Sequence, residues 1–226
     1  MLSSPLFTIV AAGMSMTEVW AKASFIVKFI CVLMLIMGLV SLYVAIERWV
    51  SFKKSSEASQ ALGAELNDAF QKGDLKAALD ACNKPEYESS YLGKVLAPGL
   101  IEVQDGVTQA SISASERAIE RQSIQEDASL KKGMSILATT GATAPFVGLV
   151  GTVFGIIHTM GGLGEGDLTA IVGEIGEALY ATAIGIAVAI VAVWFYNYFN
   201  GRLDTIRRDI RISVHEFNDW CLRKLT

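Results

Sequence analysis

The sequence predicts an all-α integral membrane protein with three transmembrane helices and long helical extensions in the cytoplasm. Three observations predict it. Apolar residues gather into three runs, each about as long as the twenty residues needed to cross the hydrocarbon of a bilayer. Lysine and arginine cluster at one end of each run, with Lys22 and Lys28 the only exceptions. Between Gly133 and Gly201 there is no lysine or arginine, yet one carboxylate, Glu177, heads the most apolar run.

Composition agrees. The hydrophobic share is 52% and the mean hydropathy +0.41, against a usual apolar share of roughly 45–50%. The excess is concentrated in runs, which signals membrane spans rather than a large soluble core. With a net charge of −4 and no basic run, nothing suggests nucleic acid. Cys31, Cys82 and Cys221 form no C-x-x-C or disulfide framework and read as structural thiols. There is no nucleophile–base pair and no metal-ligand cluster, and His158 and His215 are the only histidines. The chain is therefore not expected to be an enzyme or to carry a cofactor or metal.

Residues 1–24 are expected to form a periplasmic or interfacial helix. The alternative, a cleaved signal peptide, lacks a positively charged beginning, and its apolar stretch is followed by Glu18. The first span is placed at 25–48, bulky and aliphatic and so suited to lipid, and the cytoplasmic helical insert at 49–134. In that insert Gly73 breaks a helical pattern, with Asp74 as N-cap of the next helix. Pro85 and Pro98 punctuate the stretch after it. From Val107 to Lys132 no proline or glycine intervenes, and this helix is expected to continue into the second span.

The second span is placed at 135–160, a periplasmic loop at 161–174, the third span at 175–199 and a cytoplasmic helix at 200–226. The third span closes on Trp194, Tyr196, Tyr198 and Phe199, residues suited to the membrane–water interface. Arg48, Lys53, Lys54, Lys131, Lys132, Arg202, Arg207, Arg208 and Arg211 all fall on the side read as cytoplasmic. The loop between the last two spans has Glu165, Asp167 and Glu174 instead. The positive-inside rule thus puts the N-terminus outside and the C-terminus inside.

Spans two and three are poor in side-chain bulk. Gly141, Ala144, Gly148, Gly151 and Gly155 run along one, and Ala178, Thr182, Gly185, Ala189 and Ala192 along the other. Lipid gives helices no hydrophobic reason to associate, so small residues that let backbones approach must supply the attraction. Gly148, Gly151, Gly155 and Gly185 are expected at such contacts, and Pro145 is expected to kink span two. Two such spans from one chain scarcely enclose a path, whereas several copies can.

Three polar side chains stand out inside the second and third spans: Thr152, Glu177 and Thr182. A carboxylate in a span costs about 2.5–3.5 kcal/mol on insertion scales and is retained where it faces a bundle interior, a partner or water. Hydroxyls that donate and accept can relay hydrogen bonds beside it. Alternatively, Glu177 is an interfacial acid, and the threonines bond to their own helix backbone. Glu174 is expected to lie outside any path.

At these residues the sequence resembles the MotA/TolQ/ExbB proton-channel family, closest to its ExbB and TolQ branch. The resemblance rests on GATAPFVGLVGTVFGI, Gly141 to Ile156, and GEALYATAIGIAVAIVAVWFYN, Gly176 to Asn197. It implies a stator subunit in the bacterial inner membrane, five copies around a central pore. It also implies two copies of an ExbD- or TolR-like single-span partner with a membrane aspartate, and a TonB-like, TolA-like or gliding-machinery effector. The pore glutamate of such proteins falls on Glu177 and their pore threonines on Thr152 and Thr182. The function implied is conversion of proton motive force into mechanical work. The competing reading is a non-conducting membrane scaffold for a single-span partner.

Overall fold

The computed structural model describes residues 24–161 and 168–225, without the side chains of residues 161, 168–174, 177 and 225. The expected N-terminal helix over 1–24 therefore lies almost wholly outside the described residues. What is described is helical: α1 Phe25–Lys72, α2 Leu75–Cys82, a single 3-10 turn Pro85–Tyr87, α3 Tyr91–Val103, α4 Gln109–Leu130, α5 Met134–Gly161 and α6 Leu168–Leu225. Three of these helices, α1, α5 and α6, are long and apolar enough to cross a membrane. The chain divides into two compact units, one of residues 1–42 and 136–194, the other of 43–135 and 195–226.

In the first unit α5 and α6 run antiparallel, and their backbones approach closely along one seam. The seam follows a seven-residue step, Gly141, Gly148 and Gly155 on α5 against Ala178, Gly185 and Ala192 on α6, the spacing that keeps one stripe facing a partner helix. A Cβ added to Gly148 would lie 2.9 Å from both the Ala181 carbonyl oxygen and the Thr182 Cα. At Gly155 it would lie 2.5 Å from the Ala178 Cβ, and at Gly185 2.6 Å from the Ala144 carbonyl oxygen. Val27, Ile30 and Met34 of α1 close over Ala181, flanked by Cys31, Val147 and Ile184. All three helices leave large apolar side chains exposed, Phe29, Leu35 and Leu39 on α1, Phe146 and Val153 on α5, and Leu179 and Ile190 on α6.

The second unit is built differently. Its core holds Phe52, Leu62, Leu96, Leu100, Phe199, Leu203 and Phe217, all buried. Its helix ends are tied by side chains. Asp74 caps α2 by accepting from the Ala77 N–H at 2.9 Å, after Gly73 has turned the chain with φ +73°. Thr108 and Ser111 form a reciprocal capping box at the start of α4. Ser90 caps α3 through the Gly93 N–H, and Ser59 from α1 accepts from the Tyr91 N–H at 3.0 Å. Trp220 donates its indole N–H to the Phe70 carbonyl at 2.8 Å, near the end of α1.

Three expectations change, and one flanking charge gains a partner. The helix expected to run from Val107 into the second span is two helices, because Lys131–Gly133 turns the chain and Gly133 adopts φ +80°. Pro98 lies inside α3, where its missing N–H costs the helix one hydrogen bond without ending it. Residues 168–174, expected in a loop, are helical in α6, which begins before Ile175. Arg48, read from the sequence only as a charge flanking the first span, is buried, and donates from Nη1 to the Ser129 and Leu130 carbonyls at 3.5 and 3.4 Å. It thus neutralises the partial negative end of α4, while Glu47 holds its other nitrogens.

Candidate ion pathway

Two of the three pathway residues expected from the sequence have described side chains, and the close helix approach decides what each can reach. Thr152 on α5 is buried, and its hydroxyl donates to the Leu149 carbonyl of its own helix at 2.7 Å. Thr182 on α6 is half-buried and does something else. Its hydroxyl donates across the seam to the Gly148 carbonyl on α5 at 3.0 Å. With no side chain on Gly148, the two backbones come near enough for that bond to form. The carbonyl that Thr182 meets lies one helical turn before Thr152. Thr152 and Thr182 are therefore gathered around the same short segment of α5.

Glu177 lies in α6, on the same helix as Thr182 and five positions before it. Its side chain is outside the described residues, as is that of Glu174. Pro145 lies within α5, which continues on both sides of it. Gly151 faces the Ala181 Cβ, at 2.9 Å from an added Cβ, and Ile30 of α1.

Further polar side chains are buried in the same unit, Ser41, Thr140 and Thr159, at positions no sequence pattern singles out. Thr159 is buried on α5 and donates to the Gly155 carbonyl at 3.0 Å. Ser41, near the end of the apolar run of α1, is buried with no hydrogen-bond partner for its hydroxyl among the described residues. A serine within an aliphatic run gives no periodic signal, so only its burial marks it.

In the second unit several charged side chains form ion pairs. Asp127 accepts from Arg207 Nε at 2.6 Å and pairs with Lys131 at 2.8 Å. The hydrogen bond from Arg207 holds the Asp127 carboxyl below its usual range. The neighbouring Glu126 is buried, and burial pushes its carboxyl up against the opposing pull of Lys94 at 3.8 Å. Burial also pushes the Cys82 thiol up to about 12 and that of Cys221 up to about 11, which keeps both protonated and unreactive. Among the described residues no group of three His, Cys, Asp or Glu side chains is placed to hold a metal ion.

Comparison with known proteins addresses the same stretch. A model of the MotA/TolQ/ExbB proton channel family matches residues 87–212, which include α4, α5 and the apolar part of α6. The biopolymer transport protein ExbB of Xanthomonas campestris pv. campestris (strain B100) is 41% identical over 176 residues, covering 75% of this chain and 66% of the relative. ExbB of Neisseria gonorrhoeae is 46% identical over 89 residues, 38% of this chain and 40% of the relative. The Tol-Pal system protein TolQ of Haemophilus influenzae (strain ATCC 51907 / DSM 11121 / KW20 / Rd) is 27% identical over 215 residues, 91% of this chain and 93% of the relative. The chain thus spans just under two thirds of the Xanthomonas protein's length.

Proposed function

The chain belongs to the MotA/TolQ/ExbB proton channel family, and on that premise we propose that it is the channel-forming stator subunit of an inner-membrane motor. Its copies, five in this reading, set α5 and α6 around a central pore. Two copies of an ExbD- or TolR-like single-span partner stand in that pore, and protons pass between the partner's membrane aspartate and Glu177. The resulting movement does mechanical work on a TonB-like, TolA-like or gliding-machinery effector. The insert and C-terminus lie in the cytoplasm and the N-terminus in the periplasm, as the lysine and arginine distribution favours.

The observation that carries the reading is the Thr182–Gly148 bond beside Thr152. It ties Thr182, on the helix that bears Glu177, to the turn of α5 just before Thr152. The energy source is adequate, since the membrane potential supplies about 2.3 kcal/mol per charge per 100 mV.

The test replaces Glu177 by glutamine, which keeps size and polarity but does not titrate. Glu177→Gln and Glu177→Ala should each abolish proton-dependent growth or motility while the complex still co-purifies with its single-span partner. Glu174→Gln should be nearly silent. Full activity of Glu177→Gln would show that this residue carries no proton and would return the weight to a scaffold.

A further inference from the structure

Where α1 and α6 leave their apolar runs, Trp49 and Tyr198 stack on each other with ring centroids 5.4 Å apart and planes 13° from parallel. Both rings remain about half exposed, at 51% and 44%. They border a groove of about 310 Å³ that is also lined by Lys53, Glu57, Gln60 and Arg202. Arg202 is exposed and makes no ion pair among the described residues. Lys53 has only a loose contact with Glu57, at 3.9 Å between two side chains that are each 68% exposed. Two cations thus stand against one carboxylate around an aromatic wall.

We infer that this groove holds the headgroup of an anionic phospholipid, its phosphate against Arg202 and Lys53 and its glycerol and first methylenes over the Trp49–Tyr198 pair. The inference rests on the membrane placement proposed above, which puts these stretches of α1 and α6, where the apolar runs end, at the cytoplasmic membrane boundary. Tryptophan and tyrosine suit that depth because one part of each ring system is apolar and another is polar. A guanidinium offers a phosphate two parallel N–H donors, and basic side chains at this surface meet a negative leaflet. The groove is too small for a helix, and half of its wall is of no use to a free phosphate. A lipid headgroup with the start of its acyl chains uses both halves.

Native mass spectrometry of the full-length chain in detergent tests this, with added phosphatidylglycerol, or phosphatidylcholine of the same acyl chains, as probes. Phosphatidylglycerol should remain bound at collision energies that strip phosphatidylcholine. Arg202→Gln should weaken its retention about fivefold, the worth of one basic residue beside an anionic surface. Trp49→Leu should weaken it too, Arg202→Lys should restore most of it, and the exposed neighbour Lys54→Gln should leave it unchanged. Equal retention of the two lipids, an Arg202→Gln chain that binds like the wild type, or displacement by glycerol phosphate would each overturn the inference. The measurement needs no proton gradient. Absent lipid preference with Glu177-dependent work intact overturns this inference alone, while a firm preference beside a fully active Glu177→Gln overturns the functional reading alone.

Discussion

The two units of this chain solve the same problem, packing helices together, with opposite materials. In the first, glycine and alanine let α5 and α6 touch backbone to backbone, and the outward faces are apolar. In the second, phenylalanines and leucines fill the interior, and side-chain hydrogen bonds tie the helix ends. The proposed placement, one unit in lipid and the other in water, explains the contrast. Helices in lipid gain nothing by hiding apolar surface and must gain from close contact, whereas helices in water gain about 25 cal/mol for each Å² of apolar surface they bury. Since α1 and α6 each supply residues to both units, one helix changes its packing chemistry along its own length.

The largest test of that contrast is deletion of a core ring. Phe217→Ala should cost about 3–5 kcal/mol, because it empties a fully buried site. Phe154→Ala, on the exposed face of α5, should stay within about 0.5 kcal/mol. Thermal unfolding followed by circular dichroism in detergent reads both, and equal costs would mean that the first unit also relies on bulky apolar burial.

The reverse experiment adds a methyl group. Gly148→Ala should destabilise by about 1–3 kcal/mol, since its Cβ meets backbone atoms at 2.9 Å that have no room to yield. Gly201→Ala, in α6 of the second unit with nothing within 4 Å of the new Cβ, should be neutral or gain about 0.5–1 kcal/mol from better helix propensity. A Gly148→Ala chain as stable as the wild type would contradict the backbone seam.

A smaller effect belongs to the helix ends. Ser59→Ala removes the acceptor for the Tyr91 N–H and the partner of the Ser90 hydroxyl at 3.0 Å. A loss of about 0.5–2 kcal/mol is expected. Unfolding in the same assay should show it, and a change below about 0.3 kcal/mol would mean that Ser90 caps α3 unaided.

The smallest effect is one of pH, and it has opposite signs at two adjacent acids. Asp127 is held low by Arg207, so its stabilisation is complete above the unfolded value near 3.9 and drains away as pH falls through the lower folded value. Glu126 is pushed up by burial, so the folded chain holds its proton more tightly, and stability rises as pH falls from the folded value towards the unfolded one near 4.3. Near neutral pH, Asp127→Asn should lose less than about 1 kcal/mol, its pair being partly exposed. Glu126→Gln should match or exceed the wild type there. Both differences should shrink in acid, and melting points measured across that range would expose either slope if reversed.

Much of this was legible in the sequence for local reasons. The three apolar runs, the break at Gly73 and the cap at Asp74 depend on residues a few positions apart, and composition carries them. The motifs around Thr152 and Thr182 are long enough to mark the family. What escaped depends on distant partners. Arg48 looks like any flanking charge until the end of α4, more than eighty residues away, is placed against it. Gly133 ended a helix that its neighbours favour, because the turn needs a positive φ that glycine adopts freely. The destination of the Thr182 hydroxyl on another helix has no sequence signature at all.

A hydroxyl has one proton to give. Thr182 has directed its proton at Gly148, and Thr152 its own at Leu149, so each hydroxyl keeps only lone pairs for any further partner. A hydronium or a protonated carboxyl is welcomed by such a pair, and a bare carboxylate is not. In the pathway proposed above, two backbone-bound hydroxyls would therefore accept protons as they stand, and to hand one on a threonine would first have to let go of a carbonyl.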